Sequence, residues 1–135
     1  MIEMQAAQLA RLGTEIYPSF AVKMKRLYPD VETKVKSNAY RIAKKMREIL
    51  NDHPELDDGE AWKYITDLCR ARITCYNPEE VRRAYDTLAG FNMQRGILKI
   101  EPRFQDREHD VRITFDYFHV MICELEIKLH DPYPL

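Results

Sequence analysis

Asp67-Leu-Cys-Arg-Ala-Arg-Ile-Thr-Cys-Tyr76 alternates in the manner of a β-strand. Cys69, Ala71, Ile73 and Cys75 fall on one face, and Arg70, Arg72, Thr74 and Tyr76 on the other. An acid, Asp67, stands at the start of the run. Asn77-Pro78-Glu79-Glu80 follows and reads as the opening of a helix, with Pro78 where a missing N–H costs nothing. A strand, a short turn and an amphipathic helix make half of an α/β unit. A carboxylate and two guanidiniums beside such a strand suit a metal and a phosphate. They suit a solvated strand face equally well.

Working outward, the Pro78–Ala89 helix carries Val81, Ala84, Tyr85 and Leu88 as its core stripe and ends at Gly90. Met93–Ile100 fits a strand with Gly96 as a bulge or turn. Arg103–His109 is charged and reads as a loop. Asp110–Tyr117 alternates Val111, Ile113 and Phe115 against Arg112, Thr114 and Asp116. Val120–Leu129 sets Cys123, Leu125, Ile127 and Leu129 against Glu124, Glu126 and Lys128, and only Phe118 and His119 separate the two strands, so they form a hairpin. Asp131–Leu135 is a stiff, Pro-rich tail.

Upstream, Ser37–Leu50 is a helix candidate capped by Ser37, with Tyr40, Ala43, Met46, Ile49 and Leu50 as its apolar stripe and Arg41, Lys44, Lys45 and Arg47 on its other faces. Lys34-Val-Lys36 forms its basic approach. Glu60–Thr66 reads as a short helix. Residues 3–12 look helical and stop at Gly13, a second short helix is interrupted near Pro18, and Ser19–Leu27 is helical again. Residues 1–32 thus form an N-terminal helical arm without a chemical motif, suited to packing or to docking a protein partner. Residues 33–135 form a single globular α/β (α+β) unit of about four strands, mostly antiparallel at the C-terminal end, with helices on one face.

The chain has 135 residues, 45% hydrophobic and 32% charged, enough for one domain with a real core. Its 21 basic and 22 acidic residues leave a net charge of −1, which gives no bulk drive toward nucleic acid or membrane. No apolar run is long enough to span a bilayer. The N-terminus lacks the basic and apolar regions of a secretory signal. Cys69, Cys75 and Cys123 form no CxxC pair and lie in apolar strand patterns. They read as buried, reduced thiols, which suggests the cytoplasm or another reducing compartment. The four histidines show no metal-ligand spacing.

Three features could carry chemistry if the fold brings them together: the lysines at 34, 36 and 45, Asp67 at a strand start, and Glu124 on the polar face of the last strand. Two carboxylates from different strands can hold a divalent cation, and lysines can neutralise a polyphosphate bound to it. Phosphoryl and pyrophosphoryl transfer need that arrangement, because positioning and charge neutralisation do most of the work.

Lys34-Val-Lys36-Ser37 through Tyr40–Met46 resembles the RxKS…IYxKM segment of RelA/SpoT (ppGpp synthetase) domains. Asp67–Ile73 resembles that family's DLxAxRI strand, Arg103-Phe-Gln-Asp106 its RFKD loop, and Glu124–Lys128 its E[IV]QI[RK] strand. The matches run in the family's order from about residue 33 to 129. The resemblance implies a nucleotidyltransferase-like mixed or antiparallel sheet and pyrophosphoryl transfer from ATP to a nucleotide ribose hydroxyl. It implies ATP contacts for Lys34, Lys36 and Lys45, a Mg2+ ligand in Asp67, and a Mg2+ ligand or general base in Glu124. Arg72 matches a motif arginine, taken with the ATP-binding set, with a structural role as the alternative. Several positions depart from the pattern: Gln105 replaces the loop lysine, Lys34 an arginine and Glu126 a glutamine, and the GYxSLH segment has no counterpart in Glu108–Ile113. The ATP side is therefore better kept than the guanosine side. That leaves a second expectation, a catalytically inactive relative serving as a nucleotide sensor or as a structural subunit of a larger assembly.

Overall fold

The computed structural model describes residues 1–88, 97–103, 109–117 and 121–130, with the side chains at 117 and 121 left out. Residues 93–96 of the expected third strand, the helix stop at Gly90, positions 104–106 of the RFQD stretch, the 118–119 turn and the 131–135 tail lie outside the described residues.

Five strands form one mixed sheet: β1 (Glu32–Val35), β2 (Cys69–Cys75), β3 (Ile97–Pro102), β4 (Asp110–Tyr117) and β5 (Met121–Leu129). Their spatial order is β1-β2-β5-β4-β3, with β2 and β5 parallel and every other pair antiparallel. The strand absent from the four-strand expectation is β1. Lys34-Val-Lys36 is not the approach to a helix but mostly this short edge strand, with Lys34 opposite Arg70 and Val35 opposite Cys69. Four residues carry too little periodicity to reveal a strand. Pairing with β2 makes it one.

The helices are α1 (Ile2–Leu27), α2 (Ala39–Asp52) and α3 (Pro78–Leu88), with a 3-10 turn at Ala61–Tyr64. α1 is a single helix where three pieces were expected, because it runs through both Gly13 and Pro18. Gly13 is buried against the sheet: a Cβ there would lie 3.5 Å from Leu68 Cβ and 3.6 Å from Val35 Cγ2. Packing of Ala6, Leu9, Ala10, Phe20 and Met24 into the core holds the helix together across its two weak helix formers. The N-cap of α2 is Asn38, not Ser37: its Oδ1 accepts the Arg41 N–H at 3.2 Å. Ile42, Ala43 and Met46 face inward, whereas Tyr40 of the expected stripe is 76% exposed. α3 starts as read. Asn77 Oδ1 accepts from Glu80 N and Glu80 Oε2 accepts from Tyr76 N, each at 2.8 Å, a reciprocal cap.

The sheet's apolar face carries Cys69, Ala71, Cys75, Ile113, Phe115, Cys123, Leu125 and Ile127, all buried. α1 closes it through Phe20, which stacks on Phe115 with ring centroids 6.5 Å apart. Tyr28 Oη, just past α1, donates to the Ala84 carbonyl of α3 at 2.6 Å. All three cysteines are free thiols. No helix is long and apolar enough to cross a membrane among the described residues.

Candidate functional site

The opposite face of the sheet is charged, and Arg70, Arg72 and Thr74 of β2 stand exposed on it. Register makes this face a pair of parallel rows. One row runs Lys34, Arg70, Glu124, Thr114, Lys99 across all five strands, and the next runs Glu32, Arg72, Glu126, Arg112, Glu101. A shallow, open cleft lies over the β1-β2-β5 part, lined by Glu32, Lys34, Arg70, Ala71, Arg72, Glu124 and Glu126.

Asp67 lies two residues before β2, at one end of this face. Lys36 Nζ meets its Oδ2 at 2.9 Å and Lys45 Nζ meets its Oδ1 at 2.9 Å. Lys36 directly follows β1, and Lys45 is on the second turn of α2, so two elements converge on one carboxylate. Lys36 is held there by its own backbone, whose N–H donates to the Leu68 carbonyl at 2.7 Å. Burial pushes the Asp67 carboxyl up, but the hydrogen bonds and charges of Lys45 and Lys36 outweigh it and hold it below the usual carboxylate range.

Glu124, in the middle strand, is 7% exposed. Burial raises its carboxyl, the Arg112 charge opposes that, and the negative charge of Asp67 raises it further. The two carboxyls are therefore shifted in opposite directions, Asp67 toward a tighter hold on its charge and Glu124 toward a higher proton affinity. Arg112 Nε lies 3.3 Å from Glu124 Oε1 and makes no hydrogen bond of its own.

No protein-family model matches the chain, and no curated protein matches it. Solved structures do. Small alarmone synthetase 1 from Bacillus subtilis superposes with a TM-score of 0.59 at 15% identity, over 90% of this chain and 70% of its own. The same protein bound to its product pppGpp gives 0.57 at 12% identity, over 87% and 69%. A GTP pyrophosphokinase family protein from Streptococcus pneumoniae gives 0.55 at 13% identity, over 90% and 66%. The chain has the RelA/SpoT-like synthetase fold.

On this synthetase fold, Lys36, Lys45 and Asp67 are in direct contact, and Glu124 is close enough to feel the charges of Asp67 and Lys45. Lys34 and Arg72 line the cleft with Glu124, although Lys34 touches neither carboxylate among the described contacts. Arg72 is drawn to Glu126, with Nε and Nη2 each 3.3 Å from Oε2. Sequence reasoning placed Arg70 on the polar face as one of two guanidiniums suited to a phosphate but gave it no role in the site, and it passed over Arg112; Arg70 stands between Lys34 and Glu124, and Arg112 faces Glu124. It also missed a buried pair at the far end: Arg103 grips the fully buried Asp110 with contacts of 2.7 and 2.5 Å. The Arg103 N–H donates to the Asp110 carbonyl and the Leu129 N–H to that of His109, which pins His109 in the left-handed region at φ 48°. A signal for the arginines existed. Arg70, Arg112 and Glu124 all occupy the polar parity of their strands. Only the strand order turns three parities into one face.

Proposed function

We propose that the charged face binds ATP and an acceptor nucleotide and transfers pyrophosphate from ATP to a ribose hydroxyl of the acceptor. The carrying observation is Asp67, gripped by two lysines, beside a buried Glu124 of raised proton affinity, on a synthetase fold. Glu124 takes the proton of the acceptor hydroxyl. The freed oxygen pair attacks the β-phosphorus of ATP, the bond to the oxygen bridging the α- and β-phosphorus breaks, and AMP leaves with that electron pair. Lys34, Lys36 and Lys45 balance the phosphate charge, and Arg72 contacts ATP at the wall of the cleft. The two lysine chains can swing from Asp67 to the phosphates because each is tethered only at its stem.

Asp67 and Glu124 fit a magnesium ion. Both offer the hard carboxylate oxygens that magnesium takes, and the charge of Asp67 is felt at Glu124. Among the described residues no cluster of three or more acidic, histidine or cysteine ligands exists, which suits an ion that takes one or two carboxylates and completes its shell with phosphates and water. When bound, magnesium would neutralise charge on the transferred group. Small alarmone synthetase 1 has been solved with AMPCPP and with pppGpp, which supports a nucleoside triphosphate and a nucleotide as the ligand classes.

A second reading has its own support. Lys36 and Lys45 already neutralise Asp67, and Arg112 already faces Glu124, so the site is balanced without a ligand. An inactive relative, sensing a nucleotide or serving as a subunit docked through residues 1–32, accounts for that balance. Calorimetric titration with ATP, with and without magnesium, followed by AMP release in the presence of nucleotide acceptors, separates the readings. Magnesium-dependent binding with AMP release supports transfer. Binding without AMP release from any acceptor leaves the sensor, and no binding overturns both nucleotide readings.

A further inference from the structure

The second row across the sheet alternates strictly: Glu32, Arg72, Glu126, Arg112, Glu101. Each charge has an opposite charge as its cross-strand neighbour, the arrangement that stabilises a sheet. The first row departs from this rule, and at one place it sets like charges side by side. Lys34 and Arg70 are directly opposite each other on β1 and β2. Both are exposed, and both line the cleft. Like charges directly opposite destabilise a strand pair. Neither residue makes a hydrogen bond or ion pair among the described contacts; on its other side Arg70 has Glu124 as its cross-strand neighbour, whose carboxyl its charge helps hold down. By contrast Lys36, Lys45, Arg72, Arg103 and Arg112 each contact a carboxylate.

We infer that Lys34 and Arg70 together form an anion subsite for one phosphate group of a polyphosphate chain, with Arg70 as a binding residue that the transfer reading does not assign. Arg70 supplies a planar fork that matches two phosphate oxygens, and Lys34 supplies a point charge beside it. Bound phosphate relieves the repulsion between the two cations. The subsite lies one strand away from Glu124, so a chain seated on it runs toward the proposed reacting end. This deepens the reading above and rests on the same cleft, but it requires neither magnesium nor turnover.

The test is titration of the full chain with inorganic tripolyphosphate in magnesium-free, low-salt buffer, then with ATP. The parent, Arg70→Ala, Arg70→Lys, Lys34→Ala and the control Lys99→Ala are compared. Lys99 is an exposed cation of the same row, paired with Glu101 at 3.4 Å, so its loss changes net charge equally. Tripolyphosphate should bind the parent, weaken about tenfold or more in Arg70→Ala and in Lys34→Ala, and stay within about twofold in Lys99→Ala. Arg70→Lys should fall between, keeping the charge and losing the fork. Thermal unfolding without anion should be unchanged or slightly raised in Arg70→Ala, and the rise caused by tripolyphosphate should shrink. No binding by the parent, or equal weakening in all three alanine variants, overturns the subsite. Arg70-dependent tripolyphosphate binding without ATP turnover keeps the subsite and removes the transfer reading. ATP turnover and binding untouched by Arg70→Ala do the reverse.

Discussion

On one face of the sheet, β2 and β5 present Cys69, Ala71, Cys123, Leu125 and Ile127, closed over by α1. One residue along, the same strands present Arg70, Arg72, Glu124 and Glu126 on a face where β2 stays exposed. The apolar face is held by burial, is indifferent to pH and tolerates no missing volume. The charged face is held by pairing, so its contribution depends on which protons are bound and on what else is there to pair with. A sheet with one closed face can carry an ionic surface at little cost, because the closed face supplies the stability. That freedom is what makes the charged face available for chemistry.

The sharpest way to break the contrast is by volume. Phe115→Ala removes a fully buried ring stacked on Phe20 and should cost about 3–5 kcal/mol in urea unfolding. Lys34→Ala, on the other face, should shift stability by less than about 0.5 kcal/mol. Comparable losses would mean that both faces are structural.

Proton linkage probes the charged face itself. Asp67 has a folded-state pKa below its ordinary value of 3.8, so its stabilising charge is present above that pH and fades as pH falls through the lower folded value. Asp67→Asn should therefore lose about 1–3 kcal/mol at pH 7, where it strands two charged donors, and the gap should close below pH 4. Glu124 has a folded-state pKa above its ordinary 4.5, so stability is full below that value and drops as pH rises through the folded value. Glu124→Gln removes that drop. It should be more stable than the parent at pH 7 and no more stable near pH 4. Unfolding curves at the two pH values check both signs, and matching signs at pH 7 would sink the picture of two carboxyls shifted in opposite directions.

The smallest effect concerns the close seat of α1. A Cβ at Gly13 meets only ordinary contacts of 3.5 Å and beyond, so Gly13→Ala should gain about 0.5–1 kcal/mol from helix propensity, read as a raised Tm. A loss would show that the sheet has no room for a methyl group there.

Much of this contrast was legible residue by residue. The two-residue period placed Cys69, Cys123 and Leu125 inward and Arg70, Arg72, Glu124 and Glu126 outward, and the reciprocal cap at Asn77 and Glu80 is a local motif whose hydrogen bonds span at most four residues. The resemblance to RelA/SpoT domains named the fold now seen. The continuity of α1 was not legible, because Gly13 and Pro18 are local breakers that lose only to burial of the flanking side chains. Nor was β1, whose four residues become a strand by pairing with β2.

The chain's own order of residues determined which side chains each strand turns inward and where α3 begins, because side-chain alternation and capping depend on neighbours a few positions away. It also determined which charges were available. Tertiary structure alone decided which of those charges meet. That Lys36 and Lys45 share Asp67, that Arg112 faces Glu124, and that Lys34 is left opposite Arg70 follow from a strand order of β1-β2-β5-β4-β3. The fold thereby joins residues from 12 to 36 positions apart, and no local periodicity encodes which of them meet.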